Sequence, residues 1–288
     1  MTYTLKNDNL TVEINALGAE VISVRDKSGY EFIWNGAEWS GHAPILFPTC
    51  GKLLDGKFTS RGRVYEMKSH GFAKRSEFTA TEVSDTAVTF VLESNEETLA
   101  CYPFDFKLEA KYELDGNKLC LILNVVNAGK HVMPYMIGWH PGFTLGGTKE
   151  ICSHYVSFGD KREVTWHPLQ HGAFVNPFYS SYPLKSGKYY LNEEEIYAND
   201  TMIFKDVPNT VKLAGGAQKH SVTLSYSENL PYLCIWKAPS SAARFICLEP
   251  WYGRCDRAGY EGDYRERDWV NRLASGETFH SVYTIEIC

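Results

Sequence analysis

The sequence lacks most of the signals that mark a catalytic chain at first sight. None of its eight cysteines, at positions 50, 101, 120, 152, 234, 247, 255 and 288, pairs with another as C-x-x-C. No Cys/His cluster has zinc spacing either, which excludes a zinc-finger-type site and a dithiol redox motif. Scattered cysteines fit small buried apolar residues in a reducing compartment. A G-x-S-x-G elbow, a Walker loop, a G-x-G-x-x-G after a strand and an H-E-x-x-H are all missing. Serine nucleophiles, phosphate cradles, dinucleotides and zinc hydrolysis therefore become poor readings. No apolar run is long enough to span a membrane, and Met1–Lys6 does not lead into a signal-peptide core. A basic stripe is also lacking at a net charge of −6, so neither nucleic acid nor membrane is an expected partner. The expected location is cytoplasmic.

What the chain has is strands. Hydrophobic residues make up 44% of the 288 residues and charged ones 22%, ordinary values for a globular protein. Aromatic residues stand at 14%, which is high. Aromatics favour strands, and they also favour surfaces that stack on sugar rings. Apolar runs expected as strands include Tyr3–Leu5, Leu10–Ile14, Glu20–Val24, Glu31–Trp34, Ala87–Leu92, Phe106–Leu114, Lys118–Val126, Arg244–Leu248 and His280–Ile287. Asp115-Gly116 is the clearest hairpin turn. Helical periodicity is weak, with short candidates at Glu96–Ala100, Glu193–Tyr197 and Arg265–Leu273. No linker or repeat interrupts the pattern. The expectation is an all-β chain forming a large antiparallel sandwich or barrel, with residues 1–288 as a single domain.

Two strands share a pattern that carries chemistry. The run from Val132 to Ile137 leads into Gly138-Trp139-His140-Pro141-Gly142-Phe143. Proline has no N–H for a ladder, so pairing is expected to stop there and leave His140 at a strand mouth. Pleat alternation puts His140 on the face of Gly138 and sends Trp139 the other way. The bare glycine beside the histidine suggests room for something other than a side chain. By itself such a histidine serves more often as a strand-end residue bonded to a backbone carbonyl. The run Arg244-Phe245-Ile246-Cys247-Leu248-Glu249-Pro250-Trp251 repeats the arrangement with an acid. Its Phe245, Cys247 and Glu249 share one face, and a carboxylate ending an apolar strand is costly to bury unless paired or functional. A histidine and a carboxylate opposed at one sheet can act as general acid and base. Further candidates are His70 before Gly71, Lys52 at the end of a proline-bracketed loop, and Asp200 before Thr201.

The ordered set Pro44–Leu53, His70-Gly71-Phe72, Gly138–Phe143, Ile246–Pro250 and Leu273–Glu277 resembles the aldose 1-epimerase, or galactose mutarotase-like, family, nearest its LacX-like branch. The resemblance covers nearly the whole chain. It implies a β-sandwich of galactose-mutarotase type with a sugar cleft on one face. It further implies His140 as general acid at the ring oxygen and Glu249 as general base at the anomeric hydroxyl. His70, Asp200 and Lys52 are implied as sugar-binding residues. Lys52 stands where many members have arginine, and a lysine lacks the bidentate fork. Trp251, beside Glu249, is expected to help bury the carboxyl and to line the site.

The residues and the resemblance agree on the chemistry. Exchanging anomers requires one group to protonate the ring oxygen while another removes the proton from O1, then the reverse on the other face. Histidine titrates near the working pH, and partial burial brings a glutamate toward it. No cofactor or metal is needed, and the expected partner is a hexose. Two alternatives accompany this reading. Lys74, Arg75, Lys57, Arg61 and Arg63 suggest an anion site for a hexose 6-phosphate, and a carbohydrate-binding protein that kept the fold without turnover is the other. A β-sandwich region of a larger glycoside-processing enzyme fits less well.

Overall fold

The computed structural model describes residues 1–146, 151–170, 174–216, 220–228, 230–240 and 242–288. Two large antiparallel sheets dominate, and the all-β sandwich expected from the strand pattern is what forms. The first has nine strands, with Thr278–Ile287, Lys118–Asn127 and Phe106–Asp115 adjacent at its middle. Its strands alternate. In Lys118–Asn127, Leu119, Leu121, Leu123 and Val125 are buried while the residues between them are half-buried. That is the pattern of a sheet with one face on a core. The hairpin at Asp115-Gly116 closes as expected, with Lys118 facing Asp115.

The second sheet has eight strands and is built around Phe245–Tyr252, which pairs with Tyr232–Trp236 on one side and with Ile137–Trp139 and Gly142–Thr144 on the other. Every residue of Phe245–Tyr252 is buried. Its inner face, Ile246 and Leu248, joins the core between the sheets. The indole of Trp139 reaches inward with it, to 6.1 Å from the ring of Tyr283 on the nine-stranded sheet. The outer face is covered by aromatics: Trp34 and Trp39 from a loop and Trp236 from the end of its strand pack on Phe245 and Cys247. A sheet covered on both faces reads as a continuous apolar run rather than an alternating one, which is why this segment looked so hydrophobic in sequence.

Helices formed at Glu96–Cys101, capped by Asn95, and at Glu193–Asn199, capped by Asn192. The third expected helix, Arg265–Leu273, did not form. Tyr264–Glu266 is a single 3-10 turn, Trp269 takes a positive φ of 62°, and Asn271–Leu273 is a strand. Arg267 is drawn inward by Asp256, with Nε 2.6 Å from Oδ1, and that tertiary pair overrides local preference. Glu31–Trp34 makes only isolated bridges at Glu31 and Ile33, because the Glu31 carboxylate accepts from the backbone N–H groups of Val24 and Ile33 and folds the segment on itself. The run from Val132 divides in two. Met133–Tyr135 pairs with Asn271–Leu273, and Ile137–Trp139 with the central strand. Among the described residues no helix is long and apolar enough to cross a membrane.

Candidate active site

The central strand corrects one expectation and strengthens another. Pro250 does not end its strand, which runs on to Tyr252, with Leu233 facing Pro250 on the far side. The interruption falls on the near side. Pairing stops after Gly138–Trp251 and resumes at Gly142–Cys247. In that gap Trp139, His140 and Pro141 stand opposite Pro250, Glu249 and Leu248. The ladder bonds that two prolines cannot donate fall within it, so Phe245–Tyr252 runs through unbroken while the facing chain breaks after Trp139, leaving His140 at a strand mouth as expected, and resumes at Gly142. The register is unchanged across the gap, since both chains advance by the same number of residues. His140 is therefore the cross-strand partner of Glu249. Directly opposed residues of an antiparallel pair point to the same face, and His140 Nε2 lies 3.0 Å from Glu249 Oε2.

The space beside His140 also differs from expectation. A Cβ on Gly138 would sit 2.6 Å from Cδ1 of Trp251. The bare glycine thus makes room for the Trp251 indole, not for a ligand. Gly142 does the same for Trp39, whose ring would lie 2.7 Å from a Cβ there. Trp39 in turn stacks on the His140 imidazole, with centroids 5.1 Å apart. Trp236 and His70 meet the same imidazole edge-on at 5.7 and 5.3 Å.

His70 comes from a different layer. Its φ is +64° and that of Gly71 is +70°. A Cβ on Gly71 would lie 2.1 Å from the carbonyl oxygen of Phe47, so only glycine permits this close approach. The turn is fastened to the loop carrying Lys52. The His70 N–H donates to Gly51 O at 2.9 Å, and the Gly51 N–H donates to His70 Nδ1 at 3.1 Å. The imidazole is thus bonded to backbone, and that bond has a consequence. With Nδ1 accepting, the neutral imidazole carries its proton on Nε2. The Lys52 loop is also held from below: its carbonyl accepts from Asp256 N–H, and Asp256 Oδ2 accepts from Leu54 N–H.

All seven residues singled out in the sequence, His140, Glu249, His70, Lys52, Lys74, Asp200 and Trp251, line one cavity of about 290 Å³. Asp200 enters it from the C-terminal end of the helix Glu193–Asn199, at φ 59°. Trp39 and Trp236 also line it, and sequence reasoning missed both. Their only signal was an aromatic residue in a Gly/Ser loop and another at a strand end. The expected cluster of cations does not assemble there. Lys74 lines the cavity, but Lys57 and Arg75 line a separate groove, Arg61 packs over the ring of Phe104, and Arg63 is exposed.

Burial governs the electrostatics. Glu249 is 1% exposed and His140 7%. Neither Glu249 oxygen has a hydrogen-bond partner among the described residues, and the approach to His140 at 3.0 Å is not aligned as a hydrogen bond. Burial pushes the Glu249 carboxyl well above the usual carboxylate range, while Lys74 pulls it back and Asp200 adds to the rise. Burial takes the His140 imidazole down to about 3. His70 is held well below its ordinary value by burial, by His140 and by Lys74, Arg75 and Lys52. Both shifts in the central pair have one cause, a dry site that disfavours charge. Burial therefore favours the neutral form of each group, a protonated carboxyl beside an uncharged imidazole, with one titratable proton between them.

His140, Cys247 and Glu249 bring donor atoms within 4.8 Å of one another. A metal needs the thiolate, and burial holds the Cys247 thiol protonated, well above its ordinary pKa. We assign no metal to this trio.

Known proteins match the chain over nearly its whole length. The family model for aldose 1-epimerase matches residues 1–280. The chromosomal protein LacX of Lactococcus lactis is 29% identical, with the alignment covering 100% of this chain and 99% of that one. Among solved structures, a galactose mutarotase-like protein from Lactobacillus casei superposes with a TM-score of 0.94 at 28% identity over the whole of both chains. A galactose mutarotase related enzyme from Lactobacillus acidophilus gives 0.93 at 29% identity, covering 100% of this chain and 97% of the other.

Proposed function

The chain belongs to the aldose 1-epimerase family, and from that premise we propose that it interconverts the α and β anomers of a free hexose, with His140 and Glu249 as the acid–base pair. The observation that carries this reading is the 3.0 Å separation of His140 Nε2 and Glu249 Oε2 on the floor of the cavity. The anomeric hydroxyl and the ring oxygen are bonded to the same carbon, so the two groups serving them must stand close together. Glu249 has two buried oxygens without partners, and an unpaired buried acceptor is stabilised by a donor such as a sugar hydroxyl.

The proton inventory follows from the pair holding one proton. The closed sugar is matched by Glu249 ionised and His140 protonated. O1–H then gives its proton to Glu249 while His140 Nε2–H gives one to the ring oxygen, the C1–O5 bond breaks and C1 becomes a carbonyl. The open chain is left against protonated Glu249 and neutral His140, the state that burial favours. Rotation about C1–C2 presents the other carbonyl face. Ring closure returns the proton from Glu249 to O1 and takes the O5 proton back to His140. Between turnovers the proton passes across the 3.0 Å separating the pair once the two side chains turn into line.

The other residues bind and orient. His70, with Nδ1 occupied by Gly51, presents Nε2–H as a donor near His140. Lys52, Lys74 and Asp200 meet hydroxyls at the rim, and Trp251 and Trp39 supply apolar walls for ring C–H faces. Because two ammonium groups, those of Lys52 and Lys74, line the cavity, a second reading has the hexose carrying a phosphate, which lysine binds as a point charge. Polarimetry of freshly dissolved α-D-glucose, α-D-galactose and glucose 6-phosphate tests both. Acceleration of the free sugars is expected. Acceleration confined to the phosphate ester would select the second reading, and none with any aldose would end both.

A further inference from the structure

The cavity around Glu249 has a neighbour on the same sheet face. Three segments each contribute a residue to both spaces. Ile203 lines the inner cavity and Lys205 the outer, Leu169 the inner and His167 the outer, Cys255 the inner and Arg254 the outer. Ile203 and Lys205 are same-face neighbours on one strand, with buried Phe204 pointing the other way between them. Such neighbours stand about 7 Å apart. The two spaces therefore abut end to end along the sheet. The inner one, about 290 Å³, lies at the bottom of the size range of ligand pockets, about 300–1,000 Å³, and suits one hexose. The outer one is about 560 Å³.

The outer space has the makings of a sugar site. Trp269 and Tyr179 line it and are 43% and 69% exposed. Trp269 is held at φ 62°, a conformation that costs a bulky residue of order 1–3 kcal/mol. That strain turns an indole outward on the lip of the cleft, against the edge of Tyr232 at 5.4 Å. The charges in the outer space balance in number, Arg254 and Lys205 against Asp268 and Asp206. Arg254 pairs with Asp268 at 2.9 Å, Asp206 accepts from Thr165 Oγ1 at 2.6 Å, and the Lys205 ammonium lies over the Trp269 ring, 5.0 Å from its centroid, where a sugar stacking on that face would displace the flexible lysine chain. Burial, with Arg254 and Lys205, takes His167 down to about 4 and leaves it neutral. Balanced charge, polar groups and exposed aromatic rings suit a neutral polyol and not an anion.

We infer that the outer space is a subsite for a second sugar unit, so that the preferred substrate is a reducing disaccharide or longer saccharide, its reducing ring at Glu249 and its next ring between Trp269 and Tyr179. This rests on the epimerase reading of the inner cavity. The test is the rate of anomer equilibration on glucose, maltose, cellobiose and lactose for the native protein, Trp269→Gly and Tyr179→Ser. Glycine accepts the positive φ at position 269, so that variant removes the ring without straining the chain. The expected result is a higher kcat/KM for at least one disaccharide than for glucose. In both variants that advantage falls about three- to tenfold, the scale of one aromatic contact, while glucose turnover stays unchanged. Equal kcat/KM for glucose and every disaccharide, or equal losses on both in the variants, overturns the subsite while leaving the epimerase reading intact. No acceleration of any sugar, glucose included, overturns the epimerase reading and the subsite with it.

Discussion

Replacing Glu249 by glutamine separates the site's chemistry from its stability, and the two should move in opposite directions. The substitution keeps volume and shape in a position that is 1% exposed. It removes a group that can take and return a proton. A positioned proton transfer contributes about 10²–10⁴ in rate, or about 3–5 kcal/mol of transition-state stabilisation. Polarimetry should therefore show a loss of that size in kcat. The stability arm follows from linkage. The folded-state pKa of Glu249 is raised by burial, so the carboxyl's contribution to stability is fully present below its unfolded value. That contribution is lost as pH rises through the folded value. Glutamine has no such loss. The variant and the native protein should melt together near pH 4, and the variant should melt higher at pH 8. Each unit by which the pKa is raised is worth about 1.4 kcal/mol, and each kcal/mol moves Tm by about 2–4 °C in a domain approaching this size. Near-native turnover by Glu249→Gln would refute the assignment of the base. A native protein whose stability gained on the variant with rising pH would refute the account of a dry, charge-averse site.

His140→Asn should lose a similar 10²–10⁴ in kcat with its circular dichroism unchanged, and rates within twofold of native would remove His140 from the pair. The native pH profile should show kcat falling on the alkaline side as the pair's single proton is lost from Glu249; measured after subtraction of the spontaneous reaction, a rate that rises through that range would contradict the proton inventory. Gly138→Ala should displace Trp251, whose Cδ1 would lie 2.6 Å from the new methyl. A cost of about 1–3 kcal/mol in chemical denaturation is expected, together with a raised KM, and a neutral result would mean that the indole moves freely. Asp256→Asn should be the most damaging change outside the pair, at about 3–5 kcal/mol, because it strands Arg267 at 5% exposure and loosens the loop that carries Lys52; a melting temperature within a degree or two of native would show the pair to be dispensable.

Much of the site was legible because strand chemistry is local. The alternation that put Trp139 inward and His140 outward follows from the pleat, and so does the shared face of Phe245, Cys247 and Glu249. Pairing between distant strands was not legible. Nothing near Pro250 says that its missing N–H falls in a gap made by Pro141, so the proline reads as a strand end when it lies within the strand. Gly138 misled for a related reason: its partner Trp251 lies more than a hundred positions away in sequence. The Arg265–Leu273 segment read as helix because its buried Arg267–Asp256 pair is a tertiary fact, and Trp39 was invisible because a loop carries no periodicity.

The shared register of His140 and Glu249 has a consequence for how this protein can change. The spacing of the proposed acid–base pair is set by the register of two strands, whereas Lys52, Lys74, Asp200, Trp39 and the outer aromatics all hang from loops, short turns or element ends. Insertions and exchanges in those loops can redraw the substrate without touching the proton-transfer distance, while a single-residue insertion in either strand would turn one partner away from the other. A directed-evolution library confined to the rim should therefore return altered sugar preference at high frequency and dead enzyme rarely.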